Sequence, residues 1–389
     1  MCIVIFGDNF SFPEGNAATN RVYTYAKGFI ENSLDAYVIC FRNDYLVNGK
    51  GIVEGIKYFH PINQKERDNS FLIRNWFKLV KYINAIKIIR RINKEDKIDA
   101  IITYTKVTAT HLFSWLLSRI INAKLIIENS EHPLRYYQTG FIKKIVGNLK
   151  LWIELKTFDG ILLITQHLID FYKSKLHNDK KILLVPSTVD PARFTKEKTK
   201  NNPFKYIGYF GSINFERDNV DLLINSFSMI QKKIDNIHLV LGGMYSDLEK
   251  KMLFDLISSL KIESKVHVLK YLSREEIIQY MLDANIIVLV RSNDTDTNAS
   301  FPSKLTEYLA TGNPVISVKV GEIPKYLTDC KDVFLTEPGD VKELSEKLEF
   351  VLNNYKYAIE VAKKGKELTN SIFNYKYQAK RIIDFINTI

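Results

Sequence analysis

The sequence has few of the features that mark secreted, metal-binding or membrane-spanning proteins. Its three cysteines (Cys2, Cys40 and Cys330) are scattered without disulfide or metal-ligand spacing, which predicts a reducing, cytoplasmic environment. No apolar run approaches the roughly 18 to 20 residues of a membrane span. The apolar residues 1–6 lack a basic region before them, so they predict a first strand and not a signal peptide.

Length, composition and charge describe a globular protein with an anionic partner. A chain of 389 residues exceeds one typical core and predicts two domains. The hydrophobic fraction of 46% and the charged fraction of 25% are ordinary for a globular protein. The net charge of +11 favours a nucleotide, a lipid headgroup or a nucleic acid as partner. We expect no nucleic acid, because the chain contains none of the recognised binding motifs.

Apolar strands alternate with helices in both halves, which predicts α/β domains with doubly wound parallel sheets. The predicted boundaries are 1–195 and 203–373, separated by a Lys- and Asn-rich linker, and a last helix at 374–389 that packs back on the first domain. Two such domains predict a ligand cleft between them. The main predicted strands are 3–7, 36–41, 98–104, 124–128, 160–165, 182–185, 206–210, 237–241, 266–269, 286–290 and 315–318.

The stretch 298–317 reads as a small-residue loop, a short helix, a Gly stop at Gly312 and a strand. A helix that begins after such a loop presents unpaired N–H groups and a positive dipole end to a phosphate. Lys304 in its first turn would add charge, and Glu307 would reach the hydroxyls of a sugar. An ordinary βαβ helix with a surface Lys and Glu explains the same spacing, so both readings remain open at this point.

Two loops of the first domain carry further candidates. Gly15 and Asn16 precede a helix and allow a backbone to approach a phosphate or sugar, and Arg21 lies on the second turn of that helix. Glu131 and His132 follow another predicted strand and are candidates for acid–base or sugar-binding groups. From the sequence pattern alone, a simple connecting loop is the more common explanation for either segment.

Residues 71–94 hold seven basic and no acidic residues among aliphatics and aromatics such as Trp76. Their charges fall on two roughly opposite helical faces, so we expect a break near Asn84 or two helices. A second stretch around Phe141 and Trp152 contains Lys143, Lys144 and Lys150. Both stretches suit an anionic membrane surface, and domain helices whose basic side chains extend to water are the alternative.

Four stretches of the second half form a recognisable set: Phe301–Ile316, which is the most specific, Phe210-Gly211-Ser212, Leu241-Gly242-Gly243 and the segment 185–194. Through them the second half resembles the retaining glycosyltransferases of family 4, of the bacterial surface-polysaccharide type. The segment Pro13–Arg21 is similar to the acceptor loop of that family. The resemblance covers nearly the whole chain. It implies the GT-B fold, in which two Rossmann-like domains face a central cleft.

The resemblance implies hexosyl or N-acetylhexosaminyl transfer from a nucleotide sugar, most simply a UDP-sugar, without cofactor or required metal. Glu307 would bind the ribose, and Pro13 and Arg21 the acceptor. Catalytic positions would be Glu131, His132, Asn298 and Lys304. Donor-binding positions would be Gly15, Asn16, Gly211, Ser212, Arg217, Gly243, Lys270, Tyr271, Ala299, Ser300, Phe301, Pro302, Ser303 and Glu307.

Two positions depart from the family pattern: Ala299 stands where its first motif Glu is expected, and Ser212 where it usually has Arg. A catalytically weak scaffold or co-subunit of a polysaccharide or glycoprotein assembly is therefore an alternative, as is a protein glycosyltransferase. Asp294 and Asp296 resemble the metal motif of another transferase fold, and we expect no metal there. The basic stretches favour a lipid-linked or cell-surface glycan acceptor and a peripheral position on the inner face of the membrane; the oligomeric state stays open.

Overall fold

A computed structural model describes residues 1–15, 17–42, 49–62, 69–137, 140–176, 181–199, 203–269 and 272–389. The chain divides into two compact units, Met1–Thr188 with Tyr375–Ile389 and Val189–Asn374. Each unit is a sheet covered by helices, as the alternation of strands and helices predicts. None of the helices described has both the length and the hydropathy needed to cross a membrane.

The first unit contains a sheet of eight strands among the residues described. Its strand order is β3-β4-β2-β1-β5-β6-β7-β8, and every pairing is parallel except β3 with β4. The strands are β1 (Cys2–Gly7), β2 (Asp35–Cys40), β3 (Lys50–Val53), β4 (Ile56–Phe59), β5 (Ile98–Thr103), β6 (Lys124–Asn129), β7 (Gly160–Leu163) and β8 (Lys181–Leu184). The short β3–β4 hairpin was not predicted from the sequence.

Helices cover both faces of this sheet because its central strands are apolar on both sides. On one face, α1 (Ala17–Glu31) packs with the last helix, α14 (Tyr375–Thr388), over a core that includes Phe29 and Ile382. The other face carries α2 (Phe71–Glu95) and α3 (Thr108–Ile120), whose Ile89 and Leu117 share a second core. The remaining helices of this unit are α4 (Phe141–Lys156) and α5 (Gln166–Lys173).

The predicted break near Asn84 is wrong, because α2 is one helix that begins after the N-cap Ser70. Its charges do not need to form one stripe, since one of them lies inside: Lys81 is buried and its Nζ donates to the carbonyl of Phe41 at 2.6 Å. The Asn84 side chain donates to the carbonyl of Pro61 at 2.8 Å while the helix continues.

The second unit contains a sheet of six parallel strands in the order β11-β10-β9-β12-β13-β14, counted over the described part of the chain. The strands are β9 (Lys205–Phe210), β10 (Ile237–Gly242), β11 (Val266–Leu269), β12 (Ile286–Leu289), β13 (Val315–Val318) and β14 (Phe334–Thr336). The helices are α6 (Val220–Ile230), α7 (Asp247–Ser259), α8 (Arg274–Asp283), α9 (Thr295–Asn298), α10 (Ser303–Thr311), α11 (Ile323–Tyr326), α12 (Val341–Asn353) and α13 (Tyr355–Thr369).

The second unit begins earlier than the linker that the sequence suggests between 195 and 203. Val189 forms a bridge with Asn374 and donates its N–H to the carbonyl of Phe373 at 2.9 Å. A 3-10 helix, Pro191–Phe194, follows and buries Phe194. These contacts attach residues 189–194 to the second unit.

Candidate functional site

The carboxyl edge of the second sheet collects most of the predicted donor-binding residues. All six strands are parallel, so the loops after β9, β10 and β12 lie at one edge, where ligands of such sheets bind. Helix α10 begins there at Ser303 without a side-chain cap, and the hydroxyl of Tyr308 bonds to both the N–H and the carbonyl of Phe210, at 3.0 and 2.6 Å. These two bonds hold α10 against the end of β9.

Lys304 points from the first turn of α10 toward β9. Its Nζ donates to the hydroxyl of Tyr209 at 2.9 Å and lies 3.4 Å from the carboxylate of Asp218. Burial lowers the pKa of Lys304 from its ordinary value, and the positive charges of Arg291 and Arg217 oppose the pull of Asp218. The surroundings disfavour the charged form of this partly buried ammonium group, so an anionic ligand beside it would stabilise that form.

Two glycines make room for this lysine. A Cβ atom on Gly211 would lie 2.3 Å from Lys304 Nζ, and a Cβ atom on Gly243 would lie 1.7 Å from the carbonyl oxygen of Gly211. The ends of β9 and β10 therefore approach each other and the lysine only because both positions lack a side chain.

Arg291 is a residue of this site that sequence reasoning did not single out. It follows β12 directly, is 4% exposed, and donates through Nη2 to Ser300 Oγ at 3.1 Å. Its Nη1 has no hydrogen-bond partner among the described residues. Burial, followed by repulsion from Arg217, lowers the pKa of Arg291 to about 10. The available signal was a charged residue immediately after an apolar strand.

The site thus combines three cations, Lys304, Arg291 and the exposed Arg217, with the buried carboxylate of Asp218. The excess of positive charge at the ends of parallel strands favours an anion such as a diphosphate. Glu307 lies one turn after Lys304 and forms an ion pair with Arg274 of α8 at 3.3 Å. Ser212 is exposed, and its carbonyl accepts from the Tyr209 hydroxyl at 2.7 Å.

The loop before α10 is held from inside. Ala299 and Phe301 are buried, and the Phe301 ring packs on Tyr326 and Phe373 with centroids 5.4 and 5.6 Å away. Their side chains therefore pack inside and shape the loop, and any contact with a donor would come from their backbone groups. Pro302 is also buried and occupies the N-cap of α10.

Asn298 joins two loops at this edge. Its Oδ1 accepts from the N–H of Gly321 at 3.0 Å, and its Nδ2 donates to Asn293 at 3.2 Å. Asp294 caps α9 by accepting from the N–H of Thr297 at 2.7 Å. Within the described ranges no group of three or more His, Cys, Asp or Glu side chains has a metal-binding arrangement.

In the first unit, the loop after β1 lies close to α1. A Cβ atom on Gly15 would lie 2.2 Å from Thr19 Oγ1, whose hydroxyl donates to the carbonyl of Ser11 at 2.7 Å. Pro13 lies in the same loop, after a cis peptide bond with Phe12. Three predicted site residues, Asn16, Lys270 and Tyr271, lie outside the described residues.

Arg21 lies in the interior and not at a surface, which corrects its assignment to acceptor binding. It is 6% exposed, and its Nε lies 2.6 Å from the buried carboxylate of Glu128. Its Nη1 and Nη2 donate to the carbonyls of Pro186 and Val185 at 2.9 and 2.8 Å. These contacts tie α1 to the ends of β6 and β8, so the residue has a structural role.

Glu131 and His132 are adjacent in sequence but have different partners. Glu131 pairs with Lys106 at 2.7 Å and with Arg135 at 3.4 Å. The Nδ1 atom of His132 accepts from the N–H of Leu134 at 3.2 Å, and its ring packs on Phe171. A hydrogen-bonded Nδ1 fixes the ring orientation.

Residues 190–368, nearly all of the second unit, match the family model described as Glycosyl transferases group 1. None of the curated proteins compared with the chain matches it in sequence. The second unit is therefore a glycosyltransferase domain by its family match.

Solved structures resemble the whole chain. Sucrose-phosphate synthase from Thermosynechococcus elongatus has a TM-score of 0.75 at 14% identity, covering 100% of this chain and 99% of that chain. HepE of Anabaena in complex with UDP-glucose has 0.72 at 15%, covering 100% of both chains. An S. aureus TarM mutant in complex with Fondaparinux, alpha-GlcNAc-glycerol and UDP has 0.70 at 12%, again over 100% of both. The fold is GT-B, as predicted.

Proposed function

We propose that this chain, whose second unit is a glycosyltransferase domain, moves a sugar from a nucleotide sugar to a glycan with retention of configuration. The observation that carries the proposal is the cation cluster of Lys304, Arg291 and Arg217 at the carboxyl edge of the second sheet. The structures that the chain resembles include one solved with UDP-glucose and one with UDP. These support a UDP-sugar as the donor.

In this mechanism the bond between the sugar C1 and the phosphate oxygen breaks, and the electron pair leaves with the nucleoside diphosphate. Lys304 and Arg217 stabilise the negative charge that grows on the leaving phosphate. The acceptor hydroxyl attacks C1 from the face the phosphate leaves, and its proton passes to a phosphate oxygen. The leaving phosphate therefore acts as the base, the proposed mechanism requires no cofactor or metal, and Glu307 binds the ribose hydroxyls.

The transferred sugar is a hexose or an N-acetylhexosamine, and the acceptor is a lipid-linked or cell-surface polysaccharide precursor. Pro13 is the acceptor-side candidate, and Glu131 and His132, also near the carboxyl edge of the first sheet, are the candidates for catalytic groups beside the transferred sugar. An S. aureus TarM mutant, which the chain resembles in fold, was solved with Fondaparinux, alpha-GlcNAc-glycerol and UDP. Transfer to a protein acceptor is the alternative within the same chemistry.

A second candidate, a catalytically weak co-subunit of a glycan-assembly complex, is favoured by one observation. Ala299 is fully buried where the family resemblance leads us to expect a carboxylate. The neighbouring Asn298 is already engaged through its side-chain oxygen with Gly321.

The first experiment screens UDP-, GDP- and ADP-sugars by thermal shift, because a ligand of the native state raises the melting temperature. The positive ligand then serves as donor in hydrolysis and transfer assays. Lys304→Met should weaken donor binding about 10- to 100-fold, as for loss of a hydrogen bond to a charged group. The exposed Lys342 provides the control Lys342→Met, which should bind normally.

Three results separate the candidates. Binding with turnover and an unchanged anomeric configuration supports the retaining transferase. Binding without hydrolysis or transfer favours the co-subunit. If no nucleotide sugar raises the melting temperature, or if Lys304→Met binds as well as the parent, the donor site is misassigned.

A further inference from the structure

Two helices of the first unit expose an unusual amount of apolar surface. In the first half of α2, Leu72 is 78% and Trp76 63% exposed, and Phe71, Ile73, Leu79 and Ile83 are exposed as well. In α4, Phe141 is 80% and Trp152 59% exposed, together with Ile142, Ile145, Val146 and Leu149. Contiguous apolar surface of this kind marks an interaction site.

These residues are grouped on outward-facing sides of their helices. At about 100° per residue, the exposed apolar side chains of α4 fall within an arc of roughly 140°. The buried Gly147 and Leu151 fall outside that arc. In α2, Leu72, Trp76, Leu79 and Ile83 form a still narrower stripe opposite the buried Lys81 and Ala85. Each helix thus buries one side and leaves an apolar side uncovered by any other described residue.

Both helices lie on the same face of the sheet and begin at the same edge. The crossovers through α2, α3 and α4 all step in one direction across the sheet, and right-handed crossovers then place the three helices on one face. The Tyr82 and Phe113 rings join α2 to α3 at 4.7 Å, and Lys150 of α4 donates to Lys106 just before α3 at 2.6 Å. Because α2 and α4 follow β4 and β6, their first turns lie at the carboxyl edge of these parallel strands.

The charge of this surface is strongly one-sided. The first half of α2 and the whole of α4 contain seven Lys and Arg residues, of which Lys81 is buried, and one acidic residue, Glu154. The Glu154 side chain points inward to Tyr172. Lys143 and Lys144 are exposed beside the apolar face of α4. Such a charge repels a second copy of the same surface and attracts an anionic one.

We propose that this face of the first unit, formed by the first half of α2 and by α4, docks onto an anionic phospholipid bilayer. Its aromatic and aliphatic side chains enter the headgroup region while the flanking Lys and Arg side chains contact lipid phosphates. A glycan carried on a membrane lipid would then meet the carboxyl edge of the first sheet. Docking does not depend on the proposed glycosyl transfer, since it needs no donor.

The test is co-sedimentation of the full chain with vesicles of phosphatidylglycerol and phosphatidylcholine, compared with phosphatidylcholine alone. Tryptophan emission reports the orientation, because two of the three tryptophans, Trp76 and Trp152, belong to the surface. Docking should shift their emission to the blue and expose them to quenching by brominated lipids. Raised salt should weaken binding.

Matched variants locate the contact. Lys143→Gln with Lys144→Gln should lower the affinity for anionic vesicles roughly 30-fold, at about fivefold per basic residue near the surface. The exposed pair Lys250 and Lys251 of α7 gives the control, and the same substitutions there should leave binding unchanged. Phe141→Gln with Ile142→Gln should abolish the blue shift, whereas Leu248→Gln, at an exposed apolar residue of α7, should not.

Several outcomes overturn the proposal. Absence of sedimentation with anionic vesicles at low salt does so, as does sedimentation without any change in tryptophan emission. Self-association that shifts the emission without vesicles would assign the surface to a second copy of the chain. Lipid binding with inactive donor assays would leave the docking surface standing and reject only the glycosyl transfer.

Discussion

The buried ion pair of Arg21 and Glu128 allows a test of whether Arg21, predicted from the sequence to bind acceptor, stabilises the fold instead. Burial by itself would lower the pKa of Arg21, but the Glu128 carboxylate outweighs it and raises the pKa above its ordinary value. Tyr25 and Ser130 also donate hydroxyl hydrogen bonds to Glu128, at 3.1 and 2.6 Å. The substitution Glu128→Gln keeps the shape and removes the charge that compensates Arg21.

Removing one partner of a buried ion pair costs about 3–5 kcal/mol. In Glu128→Gln, Arg21 keeps its hydrogen bonds to two carbonyls and can donate to the amide oxygen of the new Gln. We therefore expect the free energy of unfolding to fall by an amount at the lower end of this range, about 3 kcal/mol. For a unit of this size that corresponds to a fall in melting temperature of roughly 6–12 °C.

Tryptophan emission is the appropriate assay, because Trp76, Trp115 and Trp152 all lie in the first unit and report its unfolding alone. The control is Glu95→Gln, which breaks the exposed pair with Arg91 and should cost at most about 1 kcal/mol. The double variant Arg21→Met with Glu128→Leu removes both charges and should recover most of the stability. If Glu128→Gln unfolds no earlier than Glu95→Gln, the structural role is refuted and Arg21 becomes an acceptor-binding candidate again.

Three further predictions concern lysines and a glycine. Gly211→Ala places a Cβ atom 2.3 Å from Lys304 Nζ and 2.6 Å from its Cδ and Cε, at a backbone φ of +157° that L side chains rarely adopt, so the melting temperature should fall and donor affinity measured by calorimetry should fall about tenfold. Unchanged donor affinity would contradict the placement of Lys304. Burial lowers the pKa of Lys304, and only its ammonium form attracts a diphosphate, so UDP affinity should decline as the pH rises from neutral toward that lowered pKa. Lys304→Met should abolish this pH dependence; a pH dependence that persists in the variant would assign the titration to another group. Lys81→Met removes the donor to the carbonyl of Phe41 and should lower the free energy of unfolding, measured in urea, by about 1–3 kcal/mol. The control Lys78→Met, at an exposed lysine of the same helix, should have little effect, and equal losses of stability in the two variants would refute the interior role of Lys81.

The local features were predictable because they are written in short-range patterns. Apolar strands such as β1 and β10, the capping box of Ser273 with Glu276, and the helix that starts near Ser303 all follow from residues a few positions apart. The parallel sheets follow as well, since alternating strands and helices leave few other arrangements. The Lys304 and Glu307 candidates came from the same stretch, strengthened by a family resemblance.

Burial, in contrast, depends on what packs from elsewhere in the chain. No local sequence pattern shows that Arg21 is buried, because the carbonyls to which it donates lie more than 160 positions away in the chain. Tertiary packing likewise placed Ala299 and Phe301 inside and Lys81 in the core of the first unit. It also brought Arg291 to the side of Ser300 and left half of α2 and most of α4 facing outward. The sequence alone determined most strands of the two sheets, most of their helices and the phosphate-suited helix start, because those depend on periodicity. Only the tertiary structure decided which charges are buried and which apolar faces remain exposed, because that depends on contacts between distant segments.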